Sequence, residues 1–323
     1  MSKGNSIAVL TSGGDAPGMN AAVRAVVRTA IFKGMDVYGV QRGYNGLLTG
    51  EVTKMDLRSV SDIIHRGGTV LYTARSPKFR TQEGVNQAAD YCRELGIKGV
   101  VVIGGDGSYR GARDLTHAGI PCVGLPGTID NDISSTDYTI GFDTAMNTAM
   151  HMVDNIRDTS QSHDRCSVVE VMGRNAGYLA LHTGIACGAT AILVPERPYN
   201  LERDVIEKIT RTQQTGKKNF IVVVAEGVGG TENIARQIQE LTGIDTRATI
   251  LGHVQRGGSP TVRDRVLATQ LGYHAVELLE QGIGNRVVGI KEDKVVDFDI
   301  DEALEMVKPF EDELYEIANA VSI

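Results

Sequence analysis

The strongest constraint on the fold is a repeated alternation of short apolar runs with segments of helical periodicity. Residues 7–10, 99–103 and 122–125 are continuous apolar runs of strand length, as expected of strands covered on both faces. Helical segments follow them, and this order predicts right-handed βαβ units around a parallel sheet. A second series of the same kind, over residues 167–251, predicts a second lobe with its own sheet. The predicted fold class is therefore α/β, with two lobes, each a mostly parallel sheet flanked by helices.

The individual elements follow from the same patterns. The predicted strands are residues 7–10, 36–40, 69–72, 99–103, 122–125, 167–172, 191–194, 220–225 and 247–251. The predicted helices are residues 20–33, 57–66, 83–95, 108–118, 142–163, 202–214 and 232–242, with a further helix beginning after Gly177.

Composition limits the classes of function. A chain of 323 residues is long for one domain, which agrees with two lobes. The net charge of −7 argues against a general affinity for nucleic acid. The four cysteines form no CxxC pair, so we expect buried free thiols in a reducing compartment. The polar start and the lack of any apolar run near the ~18 residues of a membrane span predict a cytoplasmic protein without a signal peptide or membrane contact.

Two acidic turns follow predicted strands. Residues 104–108 contain Asp106, and residues 126–132 contain Asp130 and Asp132. A surface turn alone also favours Asp, Asn and Gly. Two strand ends that together deliver three carboxylates among glycines indicate a metal-phosphate site instead, because ligands bind at the carboxyl ends of strands in open α/β sheets.

Residues 11–20 form a glycine-rich turn between the first strand and the first helix. Such a turn directs backbone N–H groups and the positive end of a helix at an anion, although a tight turn without a ligand is the alternative. No GK[ST] sequence closes the turn, so the Walker A pattern is absent and a phosphate would be held by the backbone.

Arginines recur beside these and later glycine turns. The set comprises Arg75, Arg80, Arg165, Arg174, Arg247 and Arg256, and His253 lies in the last of the turns. Guanidinium groups bind phosphate in a bidentate way, and carboxylates can hold Mg²⁺ or act as a base. No serine nucleophile elbow, Cys/His couple or zinc motif competes. Together these groups predict phosphoryl transfer, with the acceptor left open.

Five motifs resemble the bacterial ATP-dependent 6-phosphofructokinases (the phosphofructokinase type A family), in the same order. They are TSGGDAPGMN at 11–20, GGDGS at 104–108, PGTIDND at 126–132, MGR at 172–174 and GHVQRGG at 252–258. The resemblance implies transfer of the ATP γ-phosphoryl group to the 1-hydroxyl of fructose 6-phosphate in glycolysis, with Mg²⁺ and ATP as co-substrate. It also implies a homotetramer, an ATP lobe of residues 1–141 and 255–305, and a sugar-phosphate lobe of residues 142–254 and 306–323.

The resemblance further implies a role for each matching residue. Asp130 would be the general base, Thr128 and Asp132 would hold the reacting groups, and Arg174 would neutralise charge on the transferring phosphoryl. The nucleotide side would use Gly14, Arg75, Ser76, Gly105, Asp106, Gly107 and Ser108, with Asp106 anchoring Mg²⁺. The sugar phosphate would meet Thr128, Ile129, Asp130, Arg165, Met172, Gly173, Arg174, Glu226, Arg247, His253, Val254, Gln255 and Arg256, with Arg165 and Arg247 reaching it from a neighbouring subunit.

Members of this family bind the effectors ADP or phosphoenolpyruvate between subunits. The chain keeps Arg24, Arg28, Asp62, Arg157 and Lys217 at matching positions. It departs from the pattern at Leu57, Thr190 and Thr215, which replace an arginine, a metal-holding glutamate and a basic residue, although Arg58 lies next to Leu57. We therefore expect effector control that is weaker or altered.

Three other classes of function share some of these features. The pyrophosphate-dependent branch of the superfamily typically has Asp and Lys where this chain has Gly107 and Gly127, so the glycines favour ATP. A nicotinamide dehydrogenase would need a different glycine spacing, placed after the first strand. A ligand-binding regulator without catalysis would not need a base such as Asp130.

Overall fold

The structure is a computed structural model that describes residues 6–322. The chain divides into two compact units. The first comprises Met1–Ile129, Ile133–Thr144 and Arg256–Lys308, and the second comprises Asp130–Asp132, Ala145–Gln255 and Pro309–Ile323. Each unit contains its own sheet, so the predicted α/β class with two sheets is confirmed. The functions assigned to the two lobes stay a prediction.

The described residues form eleven strands and eleven α-helices. The strands are β1 (Ser6–Thr11), β2 (Asp36–Val40), β3 (Val52–Met55), β4 (Ile97–Gly104), β5 (Cys122–Pro126), β6 (Cys166–Val171), β7 (Ala191–Leu193), β8 (Phe220–Ala225), β9 (Thr246–Ile250), β10 (Arg286–Lys291) and β11 (Lys294–Asp299). The helices are α1 (Met19–Phe32), α2 (Tyr44–Thr49), α3 (Gln82–Glu94), α4 (Asp106–His117), α5 (Phe142–Ser162), α6 (Tyr178–Ala186), α7 (Glu207–Gln214), α8 (Thr231–Thr242), α9 (Val262–Glu280), α10 (Ile300–Glu305) and α11 (Asp312–Val321).

The sheet of the first unit has seven strands in the order β11-β10-β5-β4-β1-β2-β3. Strands β10, β5, β4, β1 and β2 run parallel, and β11 and β3 join the two edges antiparallel. The chain leaves β1 toward β2 on one side and later returns to β4 on the other. This reversal makes the carboxyl ends of β1 and β4 the topological switch point, where ligands bind in open α/β sheets.

The second unit contains a four-stranded sheet in the order β7-β8-β6-β9, in which every neighbouring pair is parallel. Its core is a cluster of apolar side chains that includes Val168, Phe220, Val222 and Ile238. Strand β8 is buried along its whole length, as its continuous apolar sequence FIVVVA predicts. The carboxyl ends of β6, β8 and β9 consequently meet along one edge of this sheet.

Two predicted elements are wrong. Residues 57–66 form successive turns instead of a helix, since the Asp56 carboxylate accepts from the backbone N–H groups of Arg58 and Ser59 and Asp62 has φ 55°. Residues 69–72 form no strand, because the Asn20 side chain accepts from Val70 N at 2.7 Å and Tyr72 has φ 54°. The first segment is set by local side-chain hydrogen bonds, whereas the second follows a tertiary contact with Asn20 that overrides the local pattern.

Other elements were not predicted. They are α2, β3, the hairpin of β10 and β11, and helices α9, α10 and α11. The predicted helix over 202–214 is present, but Glu202–Ile206 adopts a π-helical turn before α7 begins.

The four cysteines are free and buried, as predicted. Burial raises the pKa of Cys92 and of Cys166 to about 12 and that of Cys187 to about 11, so these thiols stay protonated at neutral pH. Within residues 6–322, no helix is long and apolar enough to cross a membrane.

Candidate active site

The glycine-rich turn follows β1 and leads into α1. Gly13 and Gly18 have φ 88° and 108°, which L-residues rarely adopt, and Gly18 caps α1. The backbone N–H of Ser12 donates to Ile103 O at 2.9 Å, which joins the turn to β4. The Thr73 hydroxyl donates to Gly13 O at 2.7 Å and holds the next loop against the turn. The glycines thus let the backbone bend between a strand end and a helix amino end, the geometry of an anion site.

A second turn, after β4, contacts the first. A side chain at Gly104 would collide with Ser108 Oγ and with Ser12 O. Helix α4 begins at Asp106 immediately afterwards, so a carboxylate and the positive helix end lie together. By contrast, a Cβ at Gly105 or Gly107 would meet nothing within 4 Å. Gly104 is therefore fixed by packing, whereas Gly105 and Gly107 border open space.

The third turn follows β5 and is bonded to the second. Gly127 N donates to Gly104 O at 3.0 Å, and Thr128 N donates to Ile140 O at 3.1 Å. The Thr139 hydroxyl donates to Thr128 O at 2.7 Å. Both Thr128 and Ile129 are buried. The three predicted turns of the first unit accordingly meet at the carboxyl ends of β1, β4 and β5.

The acidic end of the third turn, Asp130–Asp132, belongs to the second compact unit. Asp130 is 6% exposed and Asn131 is 2% exposed, and Asn131 has φ 52°, a conformation that Asn tolerates. Asp132 is partly exposed. Asp130 is thus a buried carboxylate directly after Ile129, and its role as the base stays a prediction.

Arg75 and Ser76 lie in the loop that Thr73 fastens to the glycine turn. Arg75 is exposed. Ser76 Oγ accepts from Phe79 N at 3.4 Å at the start of a 3₁₀ turn, Lys78–Arg80. The loop therefore lies beside the glycine turn, and its contact with the nucleotide stays a prediction.

In the second unit, three turns meet at the carboxyl edge of the sheet. The backbone N–H of Arg174 donates to the Glu226 carboxylate, and Met172 N donates to Gln255 Oε1 at 3.2 Å. A Cβ at Gly173, where φ is 135°, would lie 2.5 Å from Ala176 O, so this position requires glycine. Six predicted sugar-phosphate residues thereby share one edge: Met172, Gly173, Arg174, Glu226, His253 and Gln255. His253 and Val254 are exposed, and Gln255 is fully buried.

Arg165 and Arg247 lie at the other end of this sheet, where β6 and β9 begin. Asp245 bridges them, with Arg165 Nε at 2.6 Å and Arg247 Nε at 3.3 Å from its carboxylate. The hydrogen bond from Arg165, followed by the charges of both arginines, lowers the pKa of Asp245. The structure thus separates these two arginines from Arg174.

Asp245 was missed by sequence reasoning. A usable signal was present, because Asp245 and Arg247 are two residues apart beside a strand and residues at that spacing face the same side. Arg256, predicted to meet the sugar phosphate, belongs to the first unit, and its Nη1 donates to Asp15 O at 3.0 Å.

The predicted effector residues fall into separate groups. Arg24 and Arg28 lie on α1, and burial followed by the charge of Arg28 lowers the pKa of Arg24. Arg157 donates to Cys187 O, and burial followed by the charge of Arg157 lowers the pKa of Lys217. Asp62 and Leu57 are exposed, whereas Thr190 is 1% exposed.

Residues 6–322 contain no cluster of three or more His, Cys, Asp or Glu side chains able to hold a metal. In nucleotide sites, one or two carboxylates and the substrate phosphates supply the ligands of Mg²⁺. Asp106, at the amino end of α4 and beside the open positions Gly105 and Gly107, fits that donor set.

Glycine turns at a switch point, a buried carboxylate after β5 and an arginine-bearing second sheet define an α/β protein built for phosphate chemistry. The family model described as phosphofructokinase matches residues 6–279, and the chain belongs to this family.

Similar proteins extend the match. The chain is 58% identical over 316 residues to the ATP-dependent 6-phosphofructokinase of Clostridium botulinum (strain Hall), covering 98% of this chain and 99% of that protein. It is 57% identical over 316 residues to ATP-dependent 6-phosphofructokinase 1 of Clostridium perfringens (strain 13), with the same coverage. Among solved structures, phosphofructokinase from Saccharomyces cerevisiae matches with TM-score 0.88 and 40% identity, over 98% of this chain and 46% of that one. The chain thus spans slightly less than half of the yeast chain.

Proposed function

We propose that this protein is an ATP-dependent 6-phosphofructokinase that acts in glycolysis. It transfers the γ-phosphoryl group of ATP to the 1-hydroxyl of D-fructose 6-phosphate and forms fructose 1,6-bisphosphate and ADP. The observation that carries the proposal is the meeting of three glycine-rich turns at the carboxyl ends of β1, β4 and β5. Membership of the phosphofructokinase family and the names of the two clostridial relatives support it.

The nucleotide side binds phosphate mainly through the backbone. N–H groups of the turn around Gly14 and the amino end of α4 face the charge of the ATP phosphates, and Arg75 and Ser76 add side-chain contacts. Asp106 is the proposed holder of Mg²⁺, which when bound would neutralise phosphate charge. The open space at Gly107 leaves a path for the α-phosphate, so the proposed donor is ATP and not pyrophosphate.

The sugar side binds through side chains. Glu226 accepts from sugar hydroxyls, His253 and Arg256 contact the sugar phosphate, and Arg165 and Arg247 bind its 6-phosphate group. Arg165 and Arg247 serve the site of a neighbouring subunit, which makes a homotetramer part of the proposal. Met172, Gly173 and the backbone of Arg174 shape the acceptor region.

Asp130 is the proposed general base. As the sugar O1 attacks the γ-phosphorus, Asp130 takes the hydroxyl proton, the new O1–P bond forms, and the bond from phosphorus to the ADP oxygen breaks. Thr128 and Asp132 hold the reacting groups, and the Arg174 guanidinium offsets charge on the transferring phosphoryl. ADP and phosphoenolpyruvate are the proposed effectors, and the proposed location is the cytoplasm.

The test is product identification with the purified full chain. Fructose 6-phosphate and ATP with Mg²⁺ should give a second phosphate resonance at C1 in the ³¹P NMR spectrum, together with stoichiometric ADP. NAD in place of ATP serves as a control, which should give no reaction. Absence of fructose 1,6-bisphosphate under these conditions would overturn the proposed function.

A further inference from the structure

The guanidinium of Arg256 is packed against the glycine turn that follows β1. Its Nη1 donates to Asp15 O at 3.0 Å. A methyl group at Gly14 would lie 2.5 Å from Nη1, 3.0 Å from Cζ and 3.3 Å from Nη2, and these are the three atoms that it would approach most closely. A methyl group at position 14 would therefore have to displace this guanidinium. Gly14 has no positive φ, so its backbone alone would accept alanine.

We infer that Arg256 is a positioning residue for the nucleotide, in addition to its proposed contact with the sugar phosphate. A peptide unit is planar and trans, so its C=O and N–H point in opposite directions. The bond to Asp15 O therefore also fixes the direction of the Ala16 N–H, within the turn whose N–H groups are proposed to bind the ATP phosphates. The inference rests on the proposed function. It concerns the conformation of this turn before any sugar phosphate binds.

Binding of ATP with Mg²⁺ in the absence of sugar phosphate, measured by calorimetry, isolates this role. Arg256→Gln and Arg256→Lys should both raise the Kd for ATP about five- to tenfold, since a charge-assisted hydrogen bond is lost and the shorter lysine does not reach the same carbonyl. The matched control is Arg263→Gln, which removes a guanidinium stacked on the Tyr138 ring at 3.6 Å and should leave the Kd unchanged. An unchanged Kd in both Arg256 variants would overturn the inference.

A double-mutant cycle distinguishes two roles of Arg256: positioning the turn through Asp15 O, and attracting the ATP phosphates directly. Gly14→Ala should raise the Kd for ATP about five- to tenfold in the wild-type background, because the methyl group displaces the guanidinium from Asp15 O. In the Arg256→Gln background the same methyl should change the Kd by less than about twofold, as its clash partner is gone. If instead the fold-increases in Kd of the two single variants multiply in the double variant, the methyl group meets the nucleotide itself. That result would overturn the inference.

Two further readouts keep the outcomes distinct. The Tm of each variant should stay close to that of the wild type, because the bond is only partly buried and is a single contact to one turn. If the wild-type protein binds ATP and phosphorylates fructose 6-phosphate, and the variants bind ATP equally well, only the positioning role of Arg256 is refuted. A wild-type protein that does neither would overturn the proposed function and the inference with it.

Discussion

The two units of the chain present their proposed anion-binding groups by different means. In the first unit, glycine turns bring backbone groups together, and a side chain at Gly104 would collide with its neighbours. In the second unit, the guanidinium groups of Arg165 and Arg247 are both held by the carboxylate of Asp245. The difference predicts which changes should weaken anion binding in each unit. In the first unit, binding should weaken when a side chain is added at a glycine. In the second unit, it should weaken when a charged group is removed.

The largest expected effect is on the chemical step and involves neither an added side chain at a glycine nor a lost arginine contact. Asp130→Asn keeps the size of the side chain but cannot accept the proton, so kcat should fall by about 10²–10⁴. The Kd for fructose 6-phosphate should change much less, because the arginines are the proposed binders of its phosphate group. Initial rates and equilibrium binding on the purified variant give both quantities.

Asp137→Asn is the matched control, since Asp137 is exposed and pairs with Lys291 at 3.2 Å. It should leave kcat unchanged. Near-normal kcat in Asp130→Asn would remove Asp130 from the chemistry.

The next prediction adds atoms to the first unit at a position that tolerates them structurally. Gly107 has open space around a Cβ, so Gly107→Asp should fold normally. The new carboxylate would oppose the phosphates of ATP by clash and repulsion, and KM for ATP should rise sharply. Gly107→Ala, which adds no charge, should have a smaller effect. An unchanged KM for ATP in Gly107→Asp would show that position 107 does not border the nucleotide path.

Most of this architecture could be predicted from sequence, because its causes are local. The apolar runs of β1, β4 and β5 and the turns after them depend on residues adjacent in the chain. The helix predicted over 57–66 failed because side-chain bonds from Asp56 and the φ of 55° at Asp62 set the backbone there. The contact of Arg256 with Gly14 joins residues far apart in the chain, so no local pattern contains it.

A third prediction contrasts two carboxylates that both hold neighbouring groups. Asp264 is fully buried and accepts from Gly141 N at 2.8 Å, Thr144 N at 2.9 Å and Thr144 Oγ1 at 2.5 Å. Asp264→Asn turns an amide N–H₂ toward these donors and should lower the free energy of unfolding by about 1–3 kcal/mol. Asp245→Asn should change it little, since the Asp245 side chain is 41% exposed. Urea unfolding at pH 7 measures both, and equal effects would contradict the contrast.

The same carboxylate predicts a pH dependence. Burial raises the pKa of Asp264 above 3.8, despite opposing hydrogen bonds from Thr144 and Gly141. The folded state therefore binds the proton more tightly than the unfolded state, and wild-type stability should fall as pH rises from 3.8 through the folded pKa. The Asp264→Asn variant lacks this titration. The difference in free energy of unfolding between wild type and variant should therefore widen as pH is lowered from the folded pKa toward 3.8. A difference that narrows would contradict the direction of the shift.

The smallest expected effect concerns regulation. The resemblance to the family implies that Leu57 and Thr215 stand in place of two cationic residues and that Thr190, which is buried, stands in place of a metal-holding glutamate. Each lost charge-assisted contact is worth about 1.5–3 kcal/mol in favourable settings, while allosteric couplings are typically about 1–3 kcal/mol. Millimolar phosphoenolpyruvate or ADP should therefore shift half-saturation for fructose 6-phosphate by less than about tenfold. A larger shift by either effector would show that Arg24, Arg28, Arg157 and Lys217 suffice.

The most direct test of the central claim is a side-by-side measurement of kcat/KM for ATP and for pyrophosphate, with fructose 6-phosphate as acceptor. A donor region shaped by Gly107 and Gly127 should favour ATP by at least about tenfold, which corresponds to 1.4 kcal/mol of differential transition-state binding. Equal use of the two donors, or preference for pyrophosphate, would contradict the proposal that these glycine turns select a nucleotide.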